Sequence, residues 1–83
     1  MVYHTYHTDA YLLDYFSKAL KHRIVEKEFT QKQLAEYVGA GESTISRYTN
    51  AQSFPGYYML YRLAVALDCS VSDFFPRGLG LKS

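Results

Sequence analysis

Four polar side chains, Glu42, Ser43, Ser46 and Arg47, surround two ring or branched apolar ones, Ile45 and Tyr48, that stand three residues apart. On a helix that spacing sends Ile45 and Tyr48 to one face and leaves the polar groups on the other. This polar set suits recognition. An arginine fork can grip O6 and N7 of a guanine bidentately, and a carboxylate can accept from the N4 amine of a cytosine, although it also repels nearby phosphates. Short hydroxyls and the first amides of a helix suit phosphate oxygens. Ser43 and Ser46 have no histidine base near them in the sequence, so they do not read as a catalytic pair.

Such a helix needs a scaffold that leaves its outer face clear. Just upstream, Thr30 reads as the N-cap of a preceding helix, with Phe29 and Leu34 at the two positions of a hydrophobic staple. Leu34, Ala35 and Val38 form that helix's buried stripe, and Gly39 ends it by supplying a left-handed residue. After Gly39-Ala40-Gly41 the polar-faced helix runs from about Glu42 to Tyr48. Ala35 is small where the two helices cross, and Ile45 anchors the second from beneath. Two helices joined by a short glycine-containing turn, the second with a polar outer face, are a helix-turn-helix, here Thr30 to Ala51. That unit places its second helix in the DNA major groove.

The flanking chain is also helical in period. From an N-cap at Thr8 or Asp9, Leu12, Leu13, Phe16, Ala19, Leu20 and Ile24 recur on one face, with a charged exit at Glu26 to Glu28. Asn50 to Gly56 is a loop containing Pro55. A fourth helix from about Tyr57 turns Leu60, Leu63, Ala64 and Leu67 inward. Ser70 and Asp73 form a capping box for a last short helix, Val71 to Phe75, stopped by Pro76. No segment alternates as a strand would. The expected fold is an all-α, five-helix domain over residues 10–76, with an arm at 1–9 and a loose tail at 77–83.

From Phe29 to Phe75 the sequence resembles the Cro/cI-type, or Xre-type, helix-turn-helix repressors of bacteria and their phages. The resemblance rests on Thr30-Gln31-Lys32-Gln33-Leu34-Ala35-Glu36-Tyr37-Val38-Gly39 and on Ser43-Thr44-Ile45-Ser46-Arg47-Tyr48. Pro55, Leu63-Ala64-Val65-Ala66-Leu67 and Ser70-Val71-Ser72-Asp73-Phe74-Phe75 extend it. It implies a lambda-repressor-like domain in which Glu42 and Ser43 take the first base-reading positions, with Ser46 and Arg47 one turn on. It further implies that Gln31 contacts phosphate and braces the reading helix, while Thr44 and Asn50 bond the phosphate backbone. Lys32 is either a further phosphate contact or part of a solvated face, as are Lys18 and Lys21. Three positions depart from the family pattern: Gly41 replaces a side-chain cap, Glu42 puts an acid where Gln or a base is common, and Ala51 replaces a usual glycine. The last departure leaves Asn50 to take the left-handed turn.

Composition narrows the function without deciding it. An 83-residue chain of net charge +1 is one small domain and has no broad basic surface. Six basic residues (Lys18, Lys21, Arg23, Lys27, Lys32, Arg47) face four acidic ones (Glu26, Glu28, Glu36, Glu42) between positions 18 and 47. Cys69 is the single cysteine, so no internal disulfide or cysteine-based zinc site forms, and a reducing cytoplasm is the natural setting. Cys69 itself reads as a small buried hydrophobe. The first residues do not pattern as a signal peptide, and no stretch approaches the ~18 apolar residues of a membrane span. His4 and His7, near Asp9, lack the helical support of a metal site. No phosphate loop, acid–base pair or nucleophile with its base appears, so neither enzymatic activity nor a cofactor is expected.

Nine tyrosines and five phenylalanines exceed what so small a domain can bury. Tyr57, Tyr58, Tyr61, Phe74 and Phe75 are therefore expected at a homodimer interface, since aromatics are enriched at interface cores and the resembling family commonly pairs through this region. Double-stranded DNA is the expected partner, bound at a palindromic operator for repression. An antitoxin-like protein-interaction module on the same fold is the alternative.

Overall fold

The computed structural model describes the backbone of residues 2–76 and the side chains of residues 10–76. It forms four α-helices, α1 (Val2–Glu26), α2 (Gln31–Val38), α3 (Glu42–Thr49) and α4 (Tyr57–Ala66), and then a 3-10 turn at Val71–Phe74. No strand occurs among the described residues. Two expectations change. Residues 2–9 are not an irregular arm: α1 begins at Val2, so Thr8 and Asp9 are interior positions rather than caps. Nothing between Val2 and Glu26 is glycine or proline, so the backbone offers no reason to stop the helix earlier. The fifth helix is reduced to the 3-10 turn, because Phe75, preceding Pro76, is extended at φ −121° and ψ 145°. The tail at 77–83 lies outside the described residues.

The core gathers one or more side chains from every element. Phe16, Leu20, Leu34, Ile45, Leu63, Leu67 and Phe74 are fully buried. Phe16 is their centre: its ring meets Phe54 at 4.9 Å, Phe74 at 5.5 Å and Tyr48 at 6.0 Å, all edge-on. Such aromatic pairs contribute about 0.5–1.5 kcal/mol each beyond the burial of area. Phe74 is therefore a core residue and not part of any interface, a correction to the expected dimer set. It is the 3-10 turn's only fully buried side chain, and it closes the core over α1.

All four helices end in the same way. In each, two amides just past the helix turn back to bond carbonyls of its last turn: Phe29 to Ile24 and Glu28 to Val25, Ala40 to Ala35 and Gly39 to Glu36, Gln52 to Arg47 and Ala51 to Tyr48, Cys69 to Ala64 and Asp68 to Val65. This is the Schellman arrangement, which requires a left-handed residue just after the helix. Only α2 places glycine there, Gly39 at φ +76°. Glu28, Ala51 and Asp68 hold φ of 60°, 58° and 56° without being glycine. Asn50, expected to take the turn after α3, stays right-handed at φ −98°, and Ala51 takes it instead. The reason is register: Arg47 and Tyr48 carbonyls are reached only if the left-handed residue is the second one after Thr49.

The left-handed conformation costs an alanine about 1–2 kcal/mol, partly offset by its stiffer unfolded chain. Ala51→Gly is accordingly expected to stabilise the domain by about 0.5–1 kcal/mol. Thermal unfolding followed by circular dichroism should then shift upward by roughly 3–6 °C. An unchanged or lower midpoint would mean that the turn after α3 stores no such strain.

Candidate nucleic-acid interface

The interface is built around α3, a helix of eight residues. A helix this short is not stable by itself in water, so its placement depends on what holds its inner face. Ile45 is fully buried, Tyr48 is 7% exposed and Thr49 is 2% exposed. These positions are i, i+3 and i+4, one side of the helix. On the other side Glu42, Ser43 and Arg47 are exposed, and Ser46 is half-buried. The structure thus brings the four expected base-reading residues to one face, although only three of them stand clear of the protein. Gly41 caps α3 with no side-chain hydrogen bond, as its lack of a side chain requires. The Thr44 and Ile45 amides both bond the Gly41 carbonyl, at 3.1 and 3.3 Å, leaving those of Glu42 and Ser43 outside that helical bonding.

α2 enters through a full capping box. Thr30 Oγ1 accepts from the Gln33 amide at 3.0 Å, and Gln33 Oε1 accepts from the Thr30 amide at 2.9 Å. Gln31 follows the cap directly and reaches α3, its Nε2 donating to Thr49 Oγ1 at 3.3 Å. The bracing role implied for Gln31 is therefore present in the fold. Its amide nitrogen carries a second hydrogen, so the brace leaves one donor for an outside acceptor. Asn50 Nδ2 donates to Ser46 Oγ at 3.3 Å, which joins one expected phosphate contact to one expected base contact. Lys32 is exposed and Thr44 half-buried.

Two residues that sequence patterns did not single out complete the underside. Thr49 Oγ1 donates to the Ser46 carbonyl at 3.0 Å, and Ser17 Oγ of α1 donates to the Thr49 carbonyl at 3.2 Å. Both lie on apolar stripes, Ser17 between Leu13, Phe16 and Leu20, and Thr49 four residues after Ile45. A polar residue on a buried stripe is a readable sign of an internal hydrogen bond. Arg62 left no comparable trace. Its Nε donates to the Val38 carbonyl at 3.0 Å, and its guanidinium lies 5.4 Å from the Tyr58 ring centre. It thereby satisfies the carboxyl end of α2, where a cation also complements the helix dipole.

Charge at the interface is sparse. Of the six mid-chain basic residues, Lys18 pairs with Asp14, Arg23 with Glu26 and Asp73, and Lys27 with Asp68. Lys21, Lys32 and Arg47 form no ion pair among the described residues. On α2 and α3 two cations, Lys32 and Arg47, face two acids, Glu36 and Glu42. Burial pushes the Tyr48 phenol above its ordinary value, outweighing the opposite effect of Arg47, so it stays a neutral core group. Burial likewise raises the Cys69 thiol, which is half-buried against the core and behaves as a packing residue.

The aromatic residues expected at a dimer interface divide into separate places. Tyr57, Tyr58 and Tyr61 are exposed on α4, and Tyr61 lines a hollow of about 230 Å³ with Tyr37, Arg62 and Val65. Phe75 is half-buried and lines a different hollow, about 290 Å³, with Leu12, Leu13 and Phe54. Phe74 lines neither hollow and is fully buried in the core.

The helix-turn-helix family model matches residues 20–74, well over half of the chain. Among curated proteins none matches. Among solved structures, the chain is similar to the SOS-response transcriptional repressor LexA from Eubacterium rectale, at 22% identity and a TM-score of 0.74. The match covers 86% of this chain and 77% of that one, and at this identity it bears on the fold. Fold, two-helix unit and family match agree: the chain belongs to the helix-turn-helix family of the Xre/Cro-cI type, a family of DNA-binding regulators.

Proposed function

We propose that the protein is a sequence-specific transcriptional repressor that acts in the cytoplasm as a homodimer, each protomer placing α3 in the major groove of a palindromic operator. The observation that carries this reading is the outer face of α3. Glu42, Ser43 and Arg47 are exposed together on a helix whose opposite side is seated in the core. Arg47 is assigned the bidentate guanine contact, and Ser43 a hydroxyl contact at the first reading position. Ser46 sits behind them, held by Asn50. Glu42 is assigned to a cytosine amine, a major-groove donor that its carboxylate complements. Gln31, Lys32, Thr44 and Asn50, with the open amides at the start of α3, hold the flanking phosphates. Dimerisation follows from need: one eight-residue helix reads few bases, and two of them read paired half-sites. For two-fold symmetric binding the half-sites fall about one helical turn, ~34 Å, apart. Of the aromatics assigned to the dimer contact, Tyr57, Tyr58 and Tyr61 are exposed and Phe75 is half-buried.

A random-library binding selection with the purified protein should return a palindrome with this spacing. Against that site, Arg47→Ala should relax the preference at one base pair per half-site by about tenfold or more, the value of a bidentate contact. Lys32→Ala should instead weaken all sequences alike and lower the slope of log affinity against log salt by about one per protomer. Equal affinity of Arg47→Ala and wild type for the selected site, with base preferences unchanged, would remove Arg47 from the reading face. Recovery of no preferred sequence would overturn specific recognition altogether.

A further inference from the structure

The last four carbonyls of α3 have separate partners, and one of these partners is not like the others. Asn50, Ala51 and Gln52 amides take the carbonyls of Ser46, Tyr48 and Arg47, at 3.0, 3.3 and 2.8 Å. These three bonds lie within α3 and its own turn and would travel with the helix wherever it went. The Thr49 carbonyl accepts instead from Ser17 Oγ of α1, 32 residues away in sequence. Carbonyls point along a helix axis toward its carboxyl end. The Ser17 bond therefore resists sliding of α3 along its axis. Gln31 Nε2 reaches the side-chain oxygen of the same residue from α2. A side chain projects from the flank of its helix, so this second bond resists rotation about the axis. Thr49 is the point where both restraints meet, and Ser17 and Thr49 are 4% and 2% exposed, so water does not compete for them.

We infer that Ser17 and Thr49 are positioning residues for recognition: they set the axial position and rotation of α3, and so the base that Arg47 reaches, without touching DNA themselves. This rests on the assignment of α3 as the reading helix. The inner face of α3 holds only two apolar side chains, Ile45 and Tyr48. Apolar contacts are non-directional and allow a two-turn helix to shift by a fraction of an ångström without losing burial. A bidentate arginine contact does not allow that shift, because hydrogen bonds weaken steeply as their angles bend. The directional bonds at Thr49 supply what Ile45 and Tyr48 cannot. The consequence is that specificity depends on α1, an element outside the helix-turn-helix.

The test compares Ser17→Ala, Thr49→Val and Thr49→Ser with wild type, as full chains, at a temperature where circular dichroism shows each to be folded. Fluorescence anisotropy gives affinity for the selected operator and for a scrambled duplex of equal length. The expected result is a loss of at least tenfold in the ratio of the two affinities for Ser17→Ala and for Thr49→Val, which keeps side-chain volume. Affinity for scrambled DNA should stay within about twofold, and Thr49→Ser, which keeps the hydroxyl, should retain the wild-type ratio. A merely structural role would reduce both affinities together and leave the ratio unchanged, and that result overturns the proposal. If Ser17→Ala does not fold, Thr49→Val decides alone against Thr49→Ser. A wild-type protein with no preference for any sequence defeats the reading of α3 itself, and the positioning role with it. A selective wild type with equally selective variants defeats only the positioning role of Ser17 and Thr49.

Discussion

The domain has to hold a two-turn helix in a defined place while leaving half of it bare. Helix formation is cooperative, with a costly nucleus, and eight residues fall well below the length at which an isolated helix persists. All the order in α3 must come from its inner face. Ile45 supplies the burial, and Tyr48 supplies a ring that meets the edge of Phe16. Phe16 in turn is packed by Phe54, just after α3, and by Phe74 from the 3-10 turn. One phenylalanine on α1 thus ties α3 to the loop that follows it and to the 3-10 turn. Elements far apart in the chain become necessary to each other because they share that ring.

The same demand accounts for the strained helix ends. Short helices spend a large share of their length in terminal turns, where four carbonyls lack partners inside the helix. The Schellman turn satisfies two of them at once and also reverses the chain sharply. Three of the four turns do so with Glu28, Ala51 and Asp68 in a conformation suited to glycine. Two of these are acids, of which Asp68 pairs with Lys27. Ala51 has no such side-chain interaction to set against its strain.

These features explain how much of the molecule was legible in the sequence. Patterns that act locally were readable: the Thr30 cap, the Gly39 turn, and the stripes through Leu34, Ile45 and Leu63 follow from period and cap chemistry alone. Burial confirms those stripes. The 3-10 turn and the α1 start were less visible, since the first nine residues lack an apolar period yet contain nothing that stops a helix. Phe74 and Phe75 are adjacent and chemically identical, and only the path of the chain decides which one faces Phe16. Asn50 looked better suited than Ala51 to a left-handed turn on propensity, but the register of carbonyls outweighs propensity at that point. Ser17 and Thr49 stand out as polar residues on apolar stripes, but the bond between them depends on how α1 and α3 pack. For the candidate site, the face of α3, its Ile45 anchor and the Gln31 brace were legible, and the Ser17 and Thr49 hydrogen bonds beneath it were not.

That imbalance bears on how so weakly charged a domain could bind a polyanion selectively. Counterion release scales with the number of phosphates neutralised and is blind to sequence. Here Lys18 and Arg23 of α1, and Lys27 just after it, form ion pairs within the protein, and α2 and α3 together carry no net charge. Exposed ion pairs of this kind contribute little stability, with a median of about 0–1 kcal/mol. Their larger effect is to lower the positive potential that would otherwise hold the protein on any duplex. On the proposed reading, a domain with little non-specific attraction gains its affinity from bonds of defined direction, and such bonds require that α3 does not wander. Low charge on the outside and directional hydrogen bonds on the underside of α3 are in this sense two parts of one solution.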